Sequence, residues 1–125
     1  MAGVELRTVS TKRDLRAFLR FPWKLYRQDP LWVPPLLSEV GKVLDRSRHP
    51  FHQHAQVDYF LALRGDEVVG RVAASVNHRL NDFHQSRLGE FGFFECVDDL
   101  EVARLLVEAA CQWCRQRGLA VLRGP

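Results

Sequence analysis

At 125 residues, 46% hydrophobic and 26% charged, the chain suits one globular domain with a real core. Its net charge is +3, and the 18 basic residues, all arginine except Lys12, Lys24 and Lys42, are interspersed with 15 acids. That scatter lacks the clustered basic stripe of a nucleic-acid binder, so no nucleic-acid partner is expected.

No apolar run approaches ~18 residues, so neither a membrane span nor a membrane partner is expected. The opening MAGVELRTVSTKR holds no apolar signal-peptide core, which makes a cytoplasmic location the expectation. Three cysteines, an odd number, argue against a disulfide framework. Cys111 and Cys114 make a C-x-x-C, but deep inside a helical pattern, away from the helix N-terminus that would stabilise a thiolate. They read as packing thiols.

Val4 to Val9 suits a first strand. Ser10 or Thr11 offers an N-cap, with Asp14 three after Thr11 as a capping-box partner, for a helix whose apolar face is Leu15, Phe18 and Leu19. Pro22 is expected to end or kink that helix, with Trp23, Leu25 and Tyr26 in a second short one. The prolines of DPLWVPPL force an extended connection, in which Trp32 is expected to clamp the linker onto the sheet. Ser38 is the expected cap of a helix running to about Arg46.

Val57, Tyr59, Leu61 and Leu63 alternate along a strand from Gln56. The turn Arg64-Gly65-Asp66-Glu67 returns the chain as Val68 to Val76. Asn77 to Arg87 is a polar connection with room for a little helix. Leu88 to Val97 is a third long strand, whose Phe91, Phe93 and Phe94 read as core aromatics. Asp98 to Arg117 is amphipathic, with Leu100, Ala103, Leu106, Val107, Ala110, Trp113 and Cys114 at helical spacing. Asp98 and Glu101 form a capping-box pair there, Gly118 ends the helix, and Leu119 to Arg123 is a final strand. The order β-α-α-β-β-β-α-β gives an α/β (α+β) fold: a mixed, mostly antiparallel sheet with helices on both faces.

The hairpin YFLALRGDEVVGRVAA resembles the second and third strands of the GNAT superfamily of N-acetyltransferases. LLVEAACQWCRQRG resembles the helix that follows its cofactor loop. The ordered set LYRQDPLWVPPL, HPFHQHA, GEFGFFE and RGP is similar to bacterial GNAT-like proteins of uncertain substrate. The resemblance makes residues 1–125 a single GNAT-like domain, spanning the first half to two-thirds of a complete one and lacking its C-terminal helix and strands.

What the resemblance implies is transfer of an acetyl group from acetyl-CoA to a small-molecule amine. By position, Glu95, Cys96 and Val97 would face the thioester and pantetheine, and Asp98 and Ala103 fall in the phosphate-binding turn. Only Ala103 keeps that turn's pattern. Asp98, Asp99 and Glu101 would meet a diphosphate with like charge, roughly 1–3 kcal/mol for each pair near 6 Å. The same acids suit a capped helix start with no ligand.

Glu95 is the candidate general base, its plainer reading being an outward strand carboxylate. His49, His52 and His54 form H-x-x-H-x-H without an adjacent cysteine or carboxylate, so no metal is expected. Two other readings stay open. One is a non-catalytic binding or oligomerisation module. The other is an inactive truncated fragment, whose last strand, Leu119 to Arg123, would be an open edge prone to pairing, with a homo-oligomer as the result.

Overall fold

A computed structural model describes residues 3–45 and 50–125, without the side chains of Val43 and Phe51. β1 (Val4–Thr8) leads to α1 (Lys12–Leu25), an extended segment, α2 (Leu37–Leu44) and a 3-10 turn (Pro50–Gln53). Then follow β2 (Ala55–Arg64), β3 (Glu67–Asn77), α3 (His78–His84), β4 (Leu88–Cys96), α4 (Leu100–Gln116) and β5 (Val121–Arg123). The five strands form one sheet in sequence order. β1 to β4 pair antiparallel and β5 joins β4 in parallel, the mixed sheet the sequence implies.

Strand alternation sends side chains to two cores. On one face Phe60, Ala62, Val72, Ala74 and Val76 meet Val102, Leu106, Ala110 and Trp113 of α4. On the other, Tyr59, Leu61, Leu63 and Ala73 meet Phe18 of α1 and Leu44 of α2. α4 sits close because two strand positions are glycine. A Cβ on Gly70 would lie 2.7 Å from Leu106 Cδ1, and one on Gly89 would lie 2.4 Å from Cys114 Sγ. Cys114 is therefore a packing residue, its thiol pushed up by burial, and Cys96, Cys111 and Cys114 are all free. The far end of α4 is fastened by Trp113 Nε1, which donates to Asp58 Oδ2 on β2 at 2.7 Å. Arg117 stacks 3.7 Å from the Trp113 ring and reaches the same carboxylate at 3.3 Å.

Four expectations need correction. α1 passes through Pro22 as one helix and does not split in two. The N–H that Pro22 lacks would have bonded Phe18 O, and Arg71 Nη1 supplies that donor at 2.7 Å. α2 begins after Leu36 with no side-chain cap, so Ser38 lies inside it, and Arg46 falls outside the described residues. The cap of α4 is Asp99, one residue later than expected. Its Oδ1 accepts from Glu101 N at 2.9 Å, so the Asp98–Glu101 box does not form. Trp32 packs on Trp23 and Tyr26 at the end of α1, and the linker is held there instead of against the sheet.

Candidate functional site

The site grows from an irregularity in β4. Arg71 of β3 pairs with Glu95 and Ala73 with Gly92, so β4 carries one extra residue between them. Phe93 takes it up with a left-handed φ of 52°. Strict alternation would put Phe93 and Glu95 on the side of Phe91. The bulge reverses this: Phe91, Phe94 and Cys96 pack toward α4, while Phe93 meets Phe18 of α1. Glu95 is thereby turned toward α1. A second bulge, at Val69, aims a carbonyl that accepts from Val97 N at 3.0 Å and fixes the turn into α4.

Three groups converge on the α1 side. The hydroxyl of Tyr26, the C-cap residue of α1, donates to Glu95 Oε2. Arg71 lies across the ladder from Glu95 and is only 6% exposed. Its guanidinium sits 4.9 Å from the Phe18 ring centre and 5.5 Å from that of Phe93. Arg71 Nη1 is spent on Phe18 O, whereas its Nε is buried with no partner. Bonding to Glu95, then burial and the Glu95 charge, push the Tyr26 hydroxyl up to about 12. Burial pulls Arg71 down to about 10, against the opposing pull of Glu95 and Tyr26, and leaves it a cation at neutral pH. Tyr26 also stacks on Trp32, ring centres 5.4 Å apart.

The remaining sequence candidates divide between the two faces. Cys96 points toward α4, and its thiol is pushed up by burial first and then by Glu95, Asp98 and Asp99. A raised thiol suits packing better than nucleophilic work. Val97 is half-buried and Asp98 is exposed at the turn. Ala103 lines an open apolar groove of about 650 Å³ with Val4, Leu100 and Val107, on the α4 side of the sheet. Glu95 is thus brought together with Tyr26 and Arg71, and its carboxylate is separated from Ala103 by the sheet.

Two features bear on whether an acyl-CoA fits. β5 pairs with β4 only at Leu88, Gly89 and Glu90, and no described residue pairs with Phe91 to Cys96 on that side. An open strand edge offers amides and carbonyls to an extended amide-bearing arm such as pantetheine. The start of α4 fits a diphosphate poorly. Asp99 already accepts from Glu101 N, and Arg64 Nη2 binds the same carboxylate at 2.6 Å. Arg64 first, and then that backbone bond, hold the Asp99 carboxyl below its usual range.

Sequence reasoning singled out Glu95 and missed Tyr26, Arg71 and the bulge. The run Gly92-Phe93-Phe94, which breaks polar–apolar alternation, was the available signal for the bulge. Nothing in the sequence brings Tyr26 to a residue 69 positions later. Among the described residues no cluster of three metal-ligating side chains occurs, and His49 lies outside them.

No family model matches the chain. A bacterial ceramide synthase from Caulobacter vibrioides is 36% identical over 125 residues, 99% of this chain and 33% of that protein. Protein YghO from Escherichia coli is 32% identical over 120 residues, 96% of this chain and 30% of that protein. The chain spans about a third of the length of these curated relatives. An aminoglycoside acetyltransferase from a soil metagenomic sample, solved with sisomicin, superposes with a TM-score of 0.66 at 12% identity, covering 98% of this chain and 76% of that one. An acetyltransferase from Streptococcus agalactiae gives 0.64 at 17% identity, covering 98% and 73%. A transcriptional regulator from Bacillus halodurans gives 0.63 at 16%, covering 98% and 81%. The fold is the GNAT-like one that these acetyltransferases have.

Proposed function

We propose that this chain carries the acyl-transfer centre of an N-acyltransferase that moves an acyl group from acyl-CoA to an amine. Acetyl-CoA is the smallest such donor. The observation that carries the reading is Glu95, turned by the bulge to stand beside a strand edge that no described residue pairs. The fold shared with acetyltransferases supports it, although fold alone does not fix chemistry. The ceramide synthase relative adds weight, since its name describes an amide-bearing product.

In this reading the donor's pantetheine lies along Phe91 to Cys96. The amine nitrogen attacks the thioester carbonyl carbon, a C–N bond forms and the C–S bond breaks. Glu95 takes the proton lost by nitrogen, and the thiolate leaves to be protonated by solvent. Tyr26 fixes the carboxylate through its hydroxyl, and Arg71 places a buried positive charge beside it. The aromatic rings of Phe93, Tyr26 and Trp32 on that side favour an acceptor amine carried on an apolar molecule.

The test is thiol release in the presence of both acyl-CoA and an amine, with acetyl and long-chain donors and acceptors with and without an alkyl chain. Glu95→Gln is expected to lower turnover about 10²–10⁴-fold. Asp98→Asn with Glu101→Gln should tighten donor binding roughly tenfold or more by removing like charge near the diphosphate. No calorimetric binding of any acyl-CoA at ~1 mM, a binding free energy weaker than about −4 kcal/mol, would sink the proposal.

A further inference from the structure

The outward side of α1 and the outward side chains of the loop after it, opposite to Tyr26 and Trp32, form a surface that the acyl-transfer reading does not use. The sequence scatters basic residues among acids, but the helix sorts them. Arg13, Arg16, Arg20 and Lys24 recur at spacings of three and four, an arc of roughly 80° on the helix surface. All are exposed, and Arg27 continues the row beyond the helix end. The acid within α1, Asp14, is buried against the fold and bonded by Arg7. Lys24 pairs with Glu67 at 3.0 Å. Arg13, Arg16, Arg20 and Arg27 have no carboxylate partner among the described residues. The stripe that was absent from the linear reading is present on the helix.

The following loop adds an apolar edge. Asp29 makes the turn, accepting from Leu31 N at 2.9 Å through its side chain and from Trp32 N at 3.3 Å through its carbonyl. Trp32 points inward and stands edge-on to Trp23, ring centres 5.4 Å apart. Its neighbours point out: Leu31 is 87% exposed, Val33 84% and Leu36 70%. Trp23 follows Arg20 by three residues and Arg16 by seven, so it adjoins the stripe on the helix surface. Because the loop is seated on Trp23, its exposed apolar side chains lie alongside the arginines.

We propose that α1 and residues 29–36 dock on an anionic phospholipid surface. The unpaired arginines meet lipid phosphates, and Leu31, Val33 and Leu36 enter the headgroup boundary. Charge complementarity selects this occupant: three guanidinium groups without a carboxylate partner on one arc, with Arg27 beyond its end, call for a densely anionic partner, and the apolar rim beside them calls for one with a hydrocarbon layer. A nucleic acid satisfies only the first demand. Docking of this kind needs no membrane-crossing helix, and among the described residues no helix is long and apolar enough to be one.

The proposal stands apart from the acyl-transfer reading, because vesicle binding is measured without donor or acceptor. The 125-residue chain is sedimented with vesicles of equal parts phosphatidylglycerol and phosphatidylcholine, and with phosphatidylcholine alone. Binding is expected to the first only, and to weaken as salt rises. Arg16→Gln/Arg20→Gln should lower partitioning about 25-fold, near fivefold for each charge, and Arg16→Glu/Arg20→Glu should lower it further. Leu31→Ser/Val33→Ser should lower it about tenfold. Arg79→Glu/Arg104→Glu, which changes net charge as much but away from α1, should bind as the unaltered chain does. Equal binding to both vesicle types, equal loss in that control, or tighter binding to duplex DNA than to the anionic vesicles each overturns the proposal.

Discussion

The two faces of the sheet are built on opposite terms. The α4 face is apolar and closely seated: Val102, Leu106 and Ala110 are fully buried, and Gly70 and Gly89 let the helix approach. The α1 face buries Phe18 and Leu61 just as fully, yet it also holds Arg71, with the Tyr26–Glu95 pair beside it. Hydrophobic burial is strong and non-directional, so the α4 face can draw most of its stability from apolar contact, with the Trp113–Asp58 bond fastening only its far end. Burying a guanidinium opposes folding unless it is bonded, so the α1 face accepts a local cost to hold a charged group still. The lesson is a division of labour across a single layer of strands.

That division can be broken by substitution. Leu106→Ala should give the largest stability loss, about 2–5 kcal/mol in urea unfolding, since the side chain is wholly buried between α4 and β3. Trp113→Phe should cost less, about 1.5–3 kcal/mol, by removing the indole bond to the Asp58 carboxylate. Glu95→Gln should change stability by less than about 1 kcal/mol while abolishing most turnover. If it unfolded the chain as Leu106→Ala does, the α1 face would be structural and the contrast would fail.

The smallest effect is one of pH. The Tyr26 hydroxyl is raised from 10.0 to about 12, so its protonated form is favoured in the fold. The stability it contributes is fully present below pH 10.0 and is lost as pH rises through about 12. Arg71 acts oppositely: its cost is present at neutral pH and is relieved as pH climbs past about 10. In a Tyr59→Phe background, tyrosinate absorbance follows Tyr26 alone, because the chain has two tyrosines. Glu95→Gln should move its midpoint back toward 10.0. An unmoved midpoint would show that Glu95 is not its partner.

The α4 face was legible because it follows periodicity. Leu106, Ala110, Trp113 and Cys114 repeat at helical spacing, and the hairpin from Val57 to Val76 alternates around a Gly-Asp turn. Glu95 was legible only as a carboxylate at a strand end. Its partners were not, for two physical reasons. A bulge is a one-residue event that leaves composition unchanged and reverses every side chain beyond it, as it did for Phe94 and Glu95. A side-chain bond such as Tyr26–Glu95 depends on tertiary placement that no local pattern encodes. Asp98 and Asp99 illustrate a finer limit: either could cap α4, and the bond from Glu101 N to Asp99 decides it.

Pro22 is where α1 and the sheet are tied together. A proline inside a helix is usually a defect to be tolerated, yet here the missing amide is what leaves Phe18 O open for Arg71. The helix works as a socket, and the guanidinium plugs into it from the neighbouring sheet. Pro22→Ala would repair the helix by giving Phe18 O a second suitor. Helical content could rise while the registration between α1 and β3 loosened. Stability and geometry would then part company at one residue, with the better helix making the worse site.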